Sequence, residues 1–126
     1  MTVVDSSGWL EYFADGPNAG VFAKALQKPT GLLVPTVSIY EVFKRVLTQR
    51  DESAALEAVA LMRQGTVVEL DTDIALSAAK LSAESRLPMA DSIMLATARM
   101  HGALLLTQDA DFDGIDGAEY VEPKRG

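Results

Sequence analysis

Short apolar runs alternate with longer stretches of helical periodicity along all 126 residues, and this alternation limits the fold more than any other feature of the chain. Strands separated by helices join in parallel, and a parallel sheet needs cover on its faces, so the pattern predicts an α/β protein: a parallel sheet flanked by helices. The first strand is expected at Thr2 to Asp5, followed by a short helix carrying Trp9, Leu10, Tyr12 and Phe13 that stops near Asp15-Gly16-Pro17. A second helix spans about Ala19 to Gln27, ahead of Pro29. Leu32-Leu33-Val34-Pro35 reads as a buried strand, with Ile39, Val42, Phe43, Val46 and Leu47 at helical spacing behind it. Asp51 or the adjacent polar residues can cap a fourth helix through Ala55, Leu56, Val59, Ala60 and Met62, and Gly65 falls where a left-handed C-terminal cap belongs. Thr66 to Leu70 is the next strand. Asp71 to Asp73 supply carboxylates to the start of a fifth helix, which Pro88 ends; a sixth runs from near Ala90 to His101 and Gly102. Ala103 to Thr107 is the most apolar strand and Tyr120-Val121 a weak last one. No linker or repeat period interrupts the pattern, so residues 1–126 are expected to form a single domain.

Composition narrows the chemistry. Hydrophobic residues make up 48% of the chain, which sets disordered classes aside. No apolar run approaches the ~18 residues of a membrane span, and the opening Met1-Thr2-Val3-Val4-Asp5 has neither the basic start nor the cleavage site of a secretory signal. The expected location is the cytoplasm, away from membranes. With no cysteine and one histidine, disulfide frameworks, thiolate zinc sites and histidine-built metal sites are excluded, so catalysis would have to run on oxygen ligands. The net charge of −7 disfavours loose binding to nucleic acid, which depends on neutralising phosphates; such a substrate needs a bound cation or a local basic patch. An acidic surface also suits a basic protein partner.

Sites in open α/β sheets lie beyond the carboxyl ends of the strands, and four acids fall there. Asp5 closes the first strand, Glu41 sits in the first turn of the third helix, Asp91 in the first turn of the sixth, and Asp109 follows the last apolar strand. Two carboxylates ~4 Å apart repel by roughly 4 kcal/mol at an effective dielectric near 20, so a cluster of four must take up protons or a hard divalent cation such as Mg²⁺ or Mn²⁺. One or two such ions activate water and neutralise phosphodiester oxygens, which points to a hydrolytic nuclease.

Val4-Asp5-Ser6-Ser7-Gly8-Trp9-Leu10-Glu11-Tyr12-Phe13, Ser38-Ile39-Tyr40-Glu41, Ala90-Asp91-Ser92-Ile93-Met94-Leu95-Ala96-Thr97-Ala98 and Leu106-Thr107-Gln108-Asp109-Ala110-Asp111-Phe112 resemble, in order, the four blocks of a PIN domain. The opening block and the short length look most like VapC-type toxins of type II toxin-antitoxin modules. The resemblance implies a PIN-like, Rossmann-like fold and a Mg²⁺-dependent endoribonuclease that hydrolyses RNA with a metal-activated water. It further implies inhibition by a cognate VapB-type antitoxin, and a homodimer. By the same resemblance Asp5 and Asp91 are the principal metal ligands, Glu41 completes the carboxylate cluster, and Asp109 binds a second ion or positions water. Thr107 holds the cluster by hydrogen bonding, and Asp111 or Asp113 can assist Asp109. Gln108 stands where the family often carries a basic residue.

Each residue also has a reading without chemistry. Ser38-Ile39-Tyr40-Glu41 fits a capping box, in which Glu41 bonds the Ser38 amide. Asp5 fits a strand-end turn and Asp91 a helix start. Ser6 and Ser7 read as helix caps, His101 as a helix C-terminal residue, and Trp9, Tyr12, Phe13, Tyr40 and Phe43 as core or dimer-interface packing, which outranks base stacking for them. Lys44 and Arg45 are either phosphate contacts or a solvated helix face. The run from Asp109 to Gly114 opens like a calcium loop, but its twelfth position is Tyr120. A receiver-type phosphoacceptor domain, with Asp71 or Asp73 after the Thr66 strand, and a catalytically silent PIN-like interaction module are the competing functions.

Overall fold

The computed structural model describes residues 1–124. Strand β1 (Thr2–Val4) leads into helices α1 (Ser6–Phe13) and α2 (Ala19–Leu26); β2 (Leu32–Pro35) into α3 (Thr36–Gln49) and α4 (Glu52–Met62). Next, β3 (Thr66–Val68) leads into α5 (Thr72–Ser85) and α6 (Met89–Met100), and β4 (Leu104–Thr107) into a 3-10 turn (Ala110–Phe112) and β5 (Ala118–Tyr120). All neighbouring strands pair in parallel, in the order β3-β2-β1-β4-β5.

That order sends the chain outward from β1 through β2 to β3, then back to the other side of β1 as β4. The β1/β4 pair is therefore where the winding reverses, the place at which such sheets open a crevice. Alternation along the strands assigns the two faces. Val4, Leu32, Val34 and Leu106 pack with Trp9, Phe22, Val42, Val46 and Met62 from α1 to α4. Val3, Leu33 and Leu105 point the other way, against Met94, Leu95 and Ala98 of α6, with α5 docked behind through Ile74 and Ala78.

The expected caps Asp51 and Asp71 both act, accepting the amides of Ala54 and Ile74 at 2.7 and 2.8 Å. His101 caps α6 with Nδ1 2.9 Å from the Thr97 carbonyl, and Gly102 follows at φ 64°. Elsewhere the boundaries differ. Gly65 is not a left-handed cap; it is small because a Cβ there would stand 3.0 Å from the Leu32 carbonyl oxygen, where the chain passes the sheet. The α5 helix ends three residues before Pro88, with Arg86 left-handed at φ 57°, and Pro88 instead caps the start of α6, its carbonyl accepting the Ser92 amide at 2.9 Å. Strand β3 stops at Val68, short of Leu70, and β5 runs Ala118–Tyr120, starting two residues and ending one residue earlier than expected.

Among the described residues no helix is long and apolar enough to cross a membrane.

Candidate active site

Beyond the carboxyl ends of β1 and β4 lies a pocket of about 390 Å³ whose wall includes Asp5, Glu41, Asp91 and Asp109. The topology brings together four acids that are separated by up to a hundred residues of chain. Asp5 is the N-cap residue of α1, yet its side chain makes no capping bond there. Its Oδ2 accepts the Ser7 and Thr107 hydroxyls, each at 2.8 Å, while its amide bonds the Leu106 carbonyl at 2.9 Å. Thr107 Oγ1 in turn accepts the Asp109 amide at 2.9 Å, so one hydroxyl couples the ends of both central strands.

Glu41 lies in the second turn of α3, not the first, because the helix starts at Thr36 with Pro35 as its cap. The capping box is therefore absent: the Glu41 carboxylate accepts the Ser6 hydroxyl at 2.7 Å, and the Ser38 hydroxyl is buried without a hydrogen-bond partner. Asp91 sits in the first turn of α6 and is buried. Asp109 caps the 3-10 turn by accepting the Asp111 amide at 2.9 Å, which carries Asp111 toward the pocket; Asp113 is exposed at the far end of that turn.

The electrostatics follow from this crowding. Burial pushes the Asp5 carboxyl above its ordinary 3.8; the Ser7 and Thr107 hydrogen bonds oppose that, and the Asp109 charge adds to it. Asp91 is pushed up to about 7, first by burial and then by Asp5, Asp109, Asp111 and Glu41. Every charge raising it is another carboxylate.

Carboxylate oxygens of Asp91, Asp109 and Asp111 lie within 4.8 Å of one another. These three side chains would offer an all-oxygen, anionic donor set, which suits Mg²⁺ or Mn²⁺.

Sequence reasoning assigned Ser6 and Ser7 to capping, whereas both hydroxyls hold carboxylates in this pocket. Their position directly after a strand-end acid was the available signal. Trp9 is core, stacked on Phe13 at 5.8 Å, but Tyr40 is 63% exposed and lines the pocket rather than packing inside. Gln108 accepts from Asn18 Nδ2 at 3.1 Å, tying the segment between Thr107 and Asp109 to the start of α2. Asp71, after edge strand β3, spends its carboxylate on the cap of α5 by accepting the Ile74 amide.

A parallel sheet wound in this order, with carboxylates gathered at its reversal point, defines a PIN-type α/β fold. The family profile described as PIN domain matches residues 2–118, and the chain belongs to that family. Solved structures share the fold. A toxin-antitoxin complex from Klebsiella pneumoniae is 23% identical, with a TM-score of 0.81 over 98% of this chain and 100% of that one. VapC20 of Mycobacterium tuberculosis, described as a Sarcin-Ricin loop cleaving toxin, is 19% identical, with a TM-score of 0.77 over 99% and 100%. DNA-bound VapBC from Salmonella typhimurium is 13% identical, with a TM-score of 0.74 over 95% and 96%. A search of curated proteins finds no match.

Proposed function

We propose that the protein is a VapC-type endoribonuclease toxin that hydrolyses RNA phosphodiester bonds with a divalent cation, Mg²⁺ or Mn²⁺. The observation that carries this reading is the convergence of Asp5, Glu41, Asp91 and Asp109 in one pocket, with Asp91 pushed up to about 7 by burial and by its anionic neighbours. Such a cluster is unfavourable by itself and becomes favourable with a cation among its oxygens.

In this reading Asp91, Asp109, Asp111 and Asp5 hold the cation, which when bound supplies positive charge for the phosphodiester oxygens and lowers the pKa of water. Glu41 or Asp109 orients the attacking water and takes its proton. Thr107, Ser7 and Ser6 keep Asp5 and Glu41 aimed into the pocket. Lys44 and Arg45, on the pocket rim, meet the charge of the RNA backbone. The expected products carry a 5′-phosphate.

The remaining parts of the proposal are a VapB-type antitoxin partner, a homodimer and a cytoplasmic site of action. A groove of about 440 Å³ between α1, α3 and α4, lined by Leu10, Phe13, Val46 and Leu61 and by the charged Glu11, Arg50 and Glu57, adjoins the acidic pocket and shares Ser7, Leu10 and Arg45 with it. An inhibitory segment seated in this groove would obstruct the pocket.

The test is induced expression in a bacterial host of the parent and of Asp91→Asn, followed by sequencing of RNA 5′ ends and by cleavage assays with purified protein in Mg²⁺ and Mn²⁺. Growth arrest and new 5′ ends that vanish in the variant support the enzyme. Intact RNA with the parent in both metals would leave a silent interaction module.

A further inference from the structure

Helix α3 divides its two sides sharply. Val42 and Val46 are buried in the core, whereas Tyr40, Lys44, Arg45 and Thr48 stand with Glu41 on the wall of the acidic pocket. Spacings of three and four residues place these side chains on one stripe of the helix, running outward from Glu41. Tyr40 is the aromatic member of that stripe. The residue is 63% exposed, and Lys44 Nζ lies 5.9 Å from the ring centroid.

An aromatic side chain this exposed buries little apolar surface for the fold. Beside a pocket that receives a phosphodiester, the same ring has a use: every nucleobase has a π-face, and base-on-aromatic stacking is worth ~1–3 kcal/mol per base while tolerating any sequence. The neighbouring charges fit that use. On a chain of net charge −7, Lys44 and Arg45 supply positive charge within the pocket wall itself, one side chain from the ring.

We infer that Tyr40 is a substrate-positioning residue on which a nucleobase flanking the scissile phosphate stacks, with Lys44 and Arg45 receiving the adjacent backbone. This rests on the nuclease reading above and adds to it a contact with single-stranded RNA. A base held there fixes the strand so that the neighbouring phosphodiester lies over the carboxylates. Stacking demands an unpaired base, so the site selects loops and single strands over duplex RNA.

The experiment compares Tyr40→Phe, Tyr40→Leu and Tyr40→Ala on a single-stranded RNA whose cut has been mapped, and on a series of the same RNA with one abasic residue stepped through the positions around the cut. Because the ring is exposed, none of these changes threatens the core. The expected result is a KM raised about five-fold to a hundred-fold for Leu and Ala with kcat unchanged, and parental behaviour for Phe. The penalty should disappear on the substrate whose abasic residue removes the stacked base. Equal KM for all variants, rescue by Leu, or a penalty indifferent to the abasic series would overturn the assignment. So would loss of self-association by Tyr40→Ala in gel filtration, which would make Tyr40 a subunit contact. The same substitutions placed in Asp91→Asn are read by fluorescence anisotropy of the labelled RNA, with the same order of affinities expected. If the parent cuts no RNA, the nuclease reading fails while the anisotropy series still decides the stack.

Discussion

Thr107 Oγ1 donates to Asp5 Oδ2 over 2.8 Å, joining two residues that lie 102 positions apart and close adjacent parallel strands. A buried carboxylate is costly unless its lone pairs are used, and this hydroxyl, with that of Ser7, uses them. Thr107→Val keeps the shape and removes the donor. The expected loss is about 1.5–3 kcal/mol of stability, larger at pH 8 than at pH 4, because burial raises the Asp5 pKa and the hydroxyl serves the charged form. Urea unfolding at the two pH values measures the difference; an equal loss at both would mean that the hydroxyl does not serve the charged form.

Asp91→Asn removes one charge from the crowded pocket. Cleavage should vanish, and the metal-free protein should become more stable, by about 1–2 kcal/mol or a few degrees in Tm. Thermal melts in chelator alongside the cleavage assay separate lost chemistry from lost folding.

The pH dependence has a definite sign. Asp91 stands at about 7 when folded against 3.8 for an ordinary aspartate, so between those values the folded chain binds more protons than the unfolded one. Metal-free stability should therefore fall as pH rises from about 4 to about 7, with no further contribution from this group above that range. Binding of Mg²⁺ requires the ionised carboxylate and should strengthen over the same interval, placing the acid limb of kcat/KM at or below 7. Melts with and without Mg²⁺ should diverge as pH increases; parallel curves would argue against a cation at Asp91.

Ser6→Ala deletes the 2.7 Å donor to Glu41 while leaving Glu41 itself in place. Loss of such a supporting contact is expected to lower cleavage about 10- to 100-fold with little change in Tm. Steady-state kinetics on purified variant and parent decide it.

Gly8 tests the packing beneath the site. A Cβ there would meet Phe22 Cδ1 and Val4 Cγ1, each at 2.6 Å, so Gly8→Ala should cost about 1–3 kcal/mol despite the better helix propensity of alanine. A neutral or stabilising result in denaturant titration would contradict the packing of α1 on β1.

Much of the architecture was legible in the residues because strand alternation, helical spacing and caps are local properties. Asp51 and Asp71 bond amides three residues away, and the central strands appear where apolar runs stand between turn residues. The acids of the site were legible as well, since each lies at or near a strand end or helix start, where a parallel sheet opens its crevice. Local patterns fail where the partner is distant. Ser38 and Glu41 satisfy a capping motif, yet the helix starts at Thr36 and the carboxylate turns to Ser6, 35 residues earlier in the chain. Gly65 looks like a left-handed cap, but what requires its size is the Leu32 carbonyl on the neighbouring strand. Tyr40 has the spacing of a core residue and is turned outward by the face that Val42 and Val46 bury. The sequence by itself determined the elements, their order and the supply of carboxylates. Tertiary structure alone decided which hydroxyls hold those carboxylates, how far each is driven from its ordinary pKa, and which aromatic ring meets solvent, because these depend on distances between strands that only the crossovers set.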